Sequence, residues 1–212
     1  MPNHIQNIVT IKGEKEDIKK CAETIFKDGK FSFNNIIPKP TELDIESSST
    51  QQDGIILING TDAEKEKIIS RMKERLDDDS FNKWLAKAKD LGQKALDNKA
   101  KYGSTDWYHW CIGNWGTKWD AYEVLYDVYD DRIELFFQTA WNAPYPIFDE
   151  LSAMFPTLEI NVKYADEDLG NNCGESLYYD GEEVYYDERT DDLKFACEVW
   201  NYDYDEIVKE WE

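Results

Sequence analysis

The first third of the chain shows apolar patterns typical of strands and helices. Residues 5–11 contain Ile-Val-Thr-Ile, which is typical of a strand, and residues 14–27 repeat apolar side chains every three or four positions, as a helix does. A short apolar run follows at 31–37. The Ser/Thr/Gln-rich residues 46–53 predict a flexible loop, and the run Gly-Ile-Ile-Leu-Ile-Asn at 54–59 predicts a buried strand.

Helical patterns dominate the chain between residues 61 and 100. Thr61 or Asp62 can cap a helix that runs to about Leu76, and the sequence Asp-Asp-Asp-Ser at 77–80 ends it. A second helix is predicted over 81–100, because its apolar residues fall on one side and its many lysines on the other.

A tryptophan-rich stretch at 102–122 holds four of the eight tryptophans. These four are Trp107, Trp110, Trp115 and Trp119. Ser104 or Thr105 can cap a short helix with Asp106 in its first turn, and Gly116 can end it. Because this helix is apolar on more than one side, we expect it to be buried in the core, with an aromatic binding surface as the alternative.

The rest of the chain predicts an alternation of strands and helices. Residues 121–129 and 133–137 alternate apolar and polar side chains around Asp130-Asp131 and predict a hairpin. Prolines bracket a helix at 144–155, and residues 158–164 form a regular strand pattern. A second hairpin is predicted around Asp180-Gly181, followed by a helix over 193–211 that breaks near Asn201.

These elements predict an α+β fold, with a ferredoxin-like antiparallel sheet packed with helices and a smaller α/β N-terminal part. The expected segments are an α/β part at 1–78, a connecting helix at 79–103 and an acidic, aromatic-rich ferredoxin-like domain at 104–212. That domain needs one strand before its first helix, and residues 55–58 are the candidate for it.

Charge divides the chain into two halves. Residues 1–100 carry 17 Lys and Arg against 18 Asp and Glu, whereas residues 101–212 carry 7 against 27. All 13 tyrosines and seven of the eight tryptophans also lie after residue 100. Because phosphate binding requires positive charge, we expect no direct nucleic-acid binding by the second half. A basic protein surface is its electrostatic complement.

The four cysteines are widely spaced and form no Cys-x-x-Cys pair. No signal peptide and no apolar run long enough to span a membrane is recognisable. We therefore expect a soluble cytoplasmic protein with reduced thiols and no membrane partner.

Short motifs across most of the chain resemble one family. They are Met-Pro-Asn-His at 1–4, Phe-Ser-Phe-Asn at 31–34 with Ile-Pro at 37–38, Asp-Trp-Tyr-x-Trp-Cys at 106–111, Asn-Trp-Gly-Thr-Lys-Trp at 114–119, Thr-Ala-Trp at 139–141, Phe-Pro-x-Leu at 155–158 and Tyr-Ala-x-Glu-Asp-x-Gly at 164–170. In these motifs the chain resembles the YubB-type proteins of phages and plasmids, an uncharacterised family with a ferredoxin-like domain. Where that family often has Ser-Pro after Thr-Ala-Trp, this chain has Asn-Ala-Pro at 142–144. The resemblance implies the fold and a mobile-element origin, and it transfers no catalytic residue.

The residue types for metal or cofactor chemistry are sparse. His109 and Cys111 could supply two zinc ligands, with His4 and Cys21 or Cys173 completing the site, but zinc sites usually have tighter paired spacing. We therefore expect no metal. No phosphate-binding loop, nucleophile elbow or dinucleotide fingerprint occurs, so we expect no cofactor and no catalysis.

The strongest functional signal is the segment 166–192, which contains eleven acidic residues and one basic residue, Arg189. Tyrosines and valine interleave with these charges, which favours an ordered hairpin that displays carboxylates. Asp-Glu-Asp at 166–168 lacks EF-hand spacing and predicts a solvated acidic turn. The predicted partner-binding residues are Asp166, Glu167, Asp168, Asp180, Glu182, Glu183, Asp187 and Glu188. Charge that only keeps the protein soluble is the alternative.

We therefore predict a non-catalytic protein of phage or mobile-element origin. It would bind and inhibit a host nucleic-acid-binding or defence protein with a basic surface, acting as a nucleic-acid mimic. Two alternatives stay open: a small-ligand or nucleotide-binding domain that uses the tryptophan-rich stretch, and an enzyme with an unrecognised site. The alternative surface consists of Asp106, His109, Lys118, Trp119, Asp120 and Trp141.

Overall fold

A computed structural model describes residues 3–211, apart from the side chains of 210 and 211. Met1 and Pro2 of the N-terminal motif, and Glu212, lie outside the described residues. The fold is α+β and is built on a six-stranded antiparallel sheet. Its strands are β1 (His4–Lys12), β4 (Tyr122–Val128), β5 (Arg132–Ala140), β6 (Glu159–Asp166), β7 (Cys173–Tyr179) and β8 (Glu182–Arg189). They lie in the order β4-β5-β1-β6-β7-β8.

The other elements are two short strands and a set of helices. The short strands β2 (Phe26–Lys27) and β3 (Lys30–Phe31) pair with each other. The helices are α1 (Lys15–Ile25), α2 (Ser49–Asn59), α3 (Asp62–Lys73), α4 (Asp78–Tyr102), α5 (Trp107–Trp115), α6 (Tyr145–Met154), α7 (Leu193–Trp200) and α8 (Tyr204–Trp211). Single 3₁₀ turns occur at Phe33–Asn35 and Thr41–Leu43.

The first strand lies in the middle of the sheet. β1 pairs along its whole length with β5 and along most of it with β6, so the order β1-α1-β4-β5-α6-β6 builds the ferredoxin-like arrangement. Every second residue of β1 is buried, as expected for a strand that packs one face on a core. The prediction that residues 55–58 supply this strand is wrong, because β1 already occupies the place between β5 and β6.

The two faces of the sheet are covered by different helices. One face carries Phe137 and Tyr178; Phe137 packs against Phe31 of β3, and Tyr178 packs against Phe148 of α6. α7 covers part of the opposite face, where Ala165 and Cys173 join a cluster with its apolar residues. The predicted alternation in β5 and β6 and the predicted break at Asn201 are confirmed.

Residues 39–110 form a separate compact unit of helices. The predicted loop at 46–53 and strand at 54–59 are wrong, because α2 covers residues 49–59. The Ser48 side chain accepts a hydrogen bond from Gln51 N and begins the helix. Gly54 then lies directly on α4: a Cβ at this position would be 1.8 Å from the carbonyl oxygen of Ala88. The apolar run therefore belongs to a closely packed helix pair, with Gly54 and Leu57 as its buried residues.

Caps set the bounds of the other helices in this unit. Thr61 and Glu64 form a reciprocal capping box at the start of α3, and the Asp77 side chain caps α4. α4 ends at Gly103, which adopts a left-handed conformation with φ +75°. The predicted helices at 62–76 and 81–100 are confirmed.

Helix α5 begins at a different residue from the one predicted. The Asp106 carboxylate accepts hydrogen bonds from the backbone N–H groups of Tyr108 and His109, so Asp106 itself caps the helix, and Ser104 and Thr105 do not. Gly116, with φ +75°, follows the helix as predicted. Of the tryptophans of this helix, Trp110 and Trp115 are buried and Trp107 is half-buried.

The chain groups into residues 1–38 with 111–212 as one compact unit and residues 39–110 as the other. This grouping differs from the predicted segments 1–78, 79–103 and 104–212. It differs because β1 pairs with strands from the second half of the chain, and because residues 54–59 are helical.

Candidate functional site

The acidic segment forms an ordered hairpin of β7 and β8. Asp180 and Gly181 connect the strands and both have positive φ, +56° and +78°, which suits the tight turns that fit the twist of a hairpin. β8 pairs only with β7, so it forms one edge of the sheet. The predicted hairpin is confirmed, and the structure shows that its acidic strand is an edge strand.

β8 exposes aromatic side chains between its carboxylates. Tyr185 lies opposite Leu177, and Tyr186 lies opposite Ser176, so the two tyrosines point to opposite faces of the sheet. Tyr185 and Tyr186 are 48% and 46% exposed. A β-bulge at Val184, between Glu183 and Tyr185, leaves this valine unpaired and exposed. Glu182, Glu183 and Glu188 are also exposed. Both faces of the edge therefore present carboxylates beside apolar surface.

Arg189, the only basic residue of 166–192, is bound by carboxylates at one end of the hairpin. Its guanidinium group contacts the carboxylates of Glu175 at 2.8 Å, Asp192 at 3.1 Å and Asp187 at 3.2 Å, and it lies 4.4 Å from the ring centroid of Phe195. Because these three carboxylates already surround the guanidinium group, it does not neutralise the other acidic residues of β8. Within residues 3–211, no lysine or arginine forms an ion pair with Asp180, Glu182, Glu183 or Glu188.

The predicted acidic turn at 166–168 has a mainly structural role. Asp166 is buried, and its carboxylate accepts hydrogen bonds from the side chains of Asn3 and Asn172 and from Asp168 N. Glu167 is exposed and accepts a hydrogen bond from His4 N, and Asp168 is exposed. The structure thus separates Asp166 from the exposed carboxylates of β8.

A small cleft that the sequence did not reveal lies beside β8. It has a volume of about 230 Å³ and is lined by Tyr145, Asp149, Tyr178, Glu183 and Tyr186. α6 contributes the first two residues, and the hairpin contributes the other three. The predicted acidic residue Glu183 therefore belongs to a cavity that also contains three tyrosines and a second carboxylate.

Contacts among tyrosines hold the walls of this cleft. The rings of Tyr145 and Tyr186 are 6.4 Å apart at 77°, and those of Tyr145 and Tyr164 are 5.7 Å apart at 88°. Tyr145 therefore lies against both of these tyrosines. Burial raises the pKa of Tyr145 and Tyr164, so both hydroxyls stay protonated at neutral pH.

The two carboxylates of the cleft repel each other. Desolvation, followed by the negative charge of Glu183, raises the pKa of Asp149 above its ordinary value. Burial, followed by the negative charges of Glu183 and Asp149, also raises the pKa of Tyr178 in this cleft. A positively charged group placed between the two carboxylates would relieve this repulsion.

The predicted alternative surface is only partly assembled. Lys118 Nζ lies 4.6 Å from the ring centroid of Trp119 and 5.2 Å from that of Trp141, so these three residues form one cation–π cluster. Asp120 is not part of a binding surface of this kind, because it accepts hydrogen bonds from Ser32 Oγ and Phe33 N and holds the 32–33 segment.

Asp106 and His109 belong to the helical unit at 39–110. Burial alone would raise the pKa of Asp106, but hydrogen bonds from Thr105 and His109 outweigh it and lower the pKa. His109 Nδ1 lies 3.0 Å from each oxygen of this carboxylate. Asp106 therefore caps α5 and also holds the His109 ring.

The structure also bears on the cysteines, on metal binding and on membrane spans. All four cysteines are buried and none forms a disulfide, and burial raises the pKa of Cys21 to about 12. The described part of the chain contains no group of three or more His, Cys, Asp or Glu side chains placed to hold a metal ion. None of its helices combines the length and the apolar composition that a membrane span requires.

Part of the chain is similar to a known family. Residues 114–208 match the family model described as "Ferredoxin-like domain in Api92-like protein". The match runs from the end of α5 into α8 and leaves out β1 and α1, which complete the ferredoxin-like arrangement in the structure. The family found is Api92-like, and the resemblance to YubB-type proteins stays a prediction.

Among solved structures, the chain is similar to the protein api92 from Yersinia pseudotuberculosis. The two share 12% sequence identity with a TM-score of 0.47, and the similarity covers 89% of this chain and 98% of that chain. Comparison with curated proteins gave no match.

Proposed function

We propose that this protein is a non-catalytic binding protein whose acidic hairpin engages a basic surface of another protein. The observation that carries the proposal is the edge strand β8, where exposed carboxylates flank two exposed tyrosines and the single arginine is already paired with carboxylates. Aromatic residues beside charges are typical of protein interfaces, because they supply contact area while the charges steer association. A partner with a basic surface would bind the carboxylates by charge and contact the tyrosine rings.

The finer form of the proposal is inhibition by competition. A row of carboxylates on an ordered strand imitates the spacing of negative charge along a phosphate backbone, so a nucleic-acid-binding or defence protein is the partner that fits best. The resemblance to proteins of phages and plasmids motivates a host protein in this role.

The test uses two variants with equal numbers of neutralised carboxylates. The hairpin variant carries Asn or Gln at Asp180, Glu182, Glu183, Asp187 and Glu188. The control variant carries Gln at five exposed glutamates outside the hairpin, which are Glu16, Glu23, Glu66, Glu74 and Glu159. Each protein is used to capture partners from a host lysate at low and at high salt, followed by mass spectrometry.

We expect the parent and the control to capture the same basic protein, and the hairpin variant to lose it. Capture should weaken as salt rises, because charge steering is screened over a Debye length of roughly 8 Å at physiological ionic strength. Nucleic acid should compete with this protein for the purified partner. Equal capture by the hairpin variant, or simultaneous binding of nucleic acid and this protein, would show that the hairpin is not the contact surface.

A second candidate function rests on the cluster of Lys118, Trp119 and Trp141. Trp119 is 38% exposed and lies against Lys118, so the cluster offers an aromatic face to a planar ligand. If the Trp119→Ala variant still captures the protein partner fully, this cluster is not the surface that binds the partner, and the hairpin is.

A further inference from the structure

The cleft beside β8 combines aromatic rings with carboxylates in a space of limited size. Its volume of about 230 Å³ is below the roughly 300–1,000 Å³ that pockets for drug-sized ligands enclose. A single extended side chain is therefore a better match to this space than a whole small molecule. No lysine or arginine lines the cleft, and its two carboxylates come from different elements, Asp149 from α6 and Glu183 from β8.

The aromatic walls suit a cation as strongly as the carboxylates do. The rings of Tyr145 and Tyr186 meet nearly at right angles and form a corner. The face of an aromatic ring carries negative charge density, so it attracts an ammonium or guanidinium group placed over it. Glu183 lines the cleft together with these rings and supplies one of its two carboxylates.

We infer that this cleft receives the ammonium or guanidinium headgroup of one lysine or arginine side chain of the protein partner. The inference rests on the proposed function and adds the specific contact through which the partner is held. The headgroup lies between the carboxylates of Asp149 and Glu183, and its carbon stem contacts the ring of Tyr186. The exposed carboxylates elsewhere on β8 provide the steering that brings the partner to the cleft.

A direct test measures binding of four probes to the full chain by NMR. The probes are short glycine–serine peptides with a central lysine, arginine or norleucine, and n-butylammonium as a free amine. Norleucine matches the carbon stem of lysine without its charge. The tyrosine rings are the reporters.

We expect the lysine and arginine peptides to shift the resonances of Tyr145, Tyr178 and Tyr186 saturably, and the norleucine peptide to bind at least about tenfold more weakly. Equal binding by norleucine would overturn the inference. Tighter binding of n-butylammonium than of the lysine peptide would assign the cleft to a free amine and overturn the partner contact.

Paired variants test whether the effect is confined to the cleft. Asp149→Asn and Tyr186→Leu remove a carboxylate and a ring of the cleft, whereas Glu159→Gln and Tyr179→Leu remove an exposed carboxylate and an exposed ring that do not line it. We expect the first pair to reduce binding of the lysine peptide about tenfold or more and the second pair to leave it unchanged. Equal effects of both pairs would show that charge alone, and not the cleft, drives binding.

The same variants separate this inference from the proposed function. If the five-residue hairpin variant loses the captured partner while Asp149→Asn with Tyr186→Leu retains it fully, the acidic hairpin is the contact surface and the cleft inference fails. If the hairpin variant retains the partner, the proposed function itself fails.

Discussion

The hydroxyl of Tyr164 occupies the space in which Gly174 would carry a side chain. A Cβ on Gly174 would lie 2.8 Å from this hydroxyl and 2.5 Å from the carbonyl oxygen of Asp187. The ring centroid of Tyr164 lies 5.7 Å from that of Tyr145, so this close approach positions a tyrosine that lines the cleft. The shape of the cleft beside β8 therefore requires glycine at position 174 of β7.

Gly174→Ala should destabilise the protein, because the new methyl group meets both backbone and the Tyr164 ring system. Overpacking of this kind lowers the free energy of unfolding by about 1–3 kcal/mol. Urea unfolding measures the change. Gly113→Ala is the matched control, since a Cβ at Gly113 meets nothing within 4 Å and alanine favours a helix. A Gly174→Ala protein as stable as the control would contradict the observed packing.

The crossing of α2 and α4 is a second test of close packing at glycine. A Cβ on Gly54 would lie 1.8 Å from Ala88 O, and one on Gly92 would lie 2.3 Å from the carbonyl carbon of Gly54. Gly54→Ala should therefore push the two helices apart and lower the free energy of unfolding by about 1–3 kcal/mol or more. Thermal unfolding monitored by circular dichroism is the measurement. An unchanged melting temperature would be inconsistent with this helix crossing.

Trp110→Ala should be among the most destabilising single changes. Trp110 is buried, and truncation of a large aromatic side chain in a core lowers the free energy of unfolding by about 3–5 kcal/mol. Trp119→Ala serves as the control, because Trp119 is 38% exposed and its removal leaves a smaller cavity. Chemical denaturation of both variants gives the comparison. Equal losses in the two proteins would show that Trp110 is not a core residue.

Asp149 makes the stability of the protein depend on pH. Its pKa in the folded protein is raised above the ordinary value of 3.8, first by desolvation and then by Glu183. The folded state therefore binds more protons than the unfolded state between these two values, and stability falls as pH rises through that window. Asp149→Asn removes this loss, so the variant should be more stable than the parent above the window and equal to it below.

Urea unfolding at about pH 7 and about pH 3 measures this difference on the two sides of the window. Glu150→Gln, at the adjacent exposed position of α6, controls for the removal of one negative charge. A parent that is more stable than Asp149→Asn at the higher pH would mean that the carboxylate is favourably placed without a partner, which contradicts a cation-receiving cleft.

Local patterns in the sequence were sufficient where short-range physics decides the structure. The alternation of Ile133, Leu135 and Phe137 predicted β5, Asp-Gly at 180–181 predicted the turn of the acidic hairpin, and Thr61 predicted the start of α3. Each of these features depends on residues within one turn or one strand, such as a capping hydroxyl or a side chain that alternates between two faces.

The acidic hairpin was likewise visible in the sequence, but the cleft was not. Tyr145 and Asp149 lie on one helical stretch, whereas Tyr178, Glu183 and Tyr186 lie more than 25 positions further along the chain. Only the packing of α6 against β7 and β8 brings them together. The sequence also could not show that Asp166 is buried among asparagines, because its neighbours in sequence are exposed carboxylates.

The apolar residues at 54–59 show most clearly what tertiary structure decided. A short apolar run fits a buried strand and a buried helix equally well, since its periodicity cannot distinguish them. The close approach of Gly54 to α4 selects the helix, and the pairing of β1 with β5 and β6 fills the place in the sheet that this run was predicted to take. The sequence by itself determined which segments alternate, cap and turn. Contacts between distant segments determined which of them share a sheet and where a binding cleft forms.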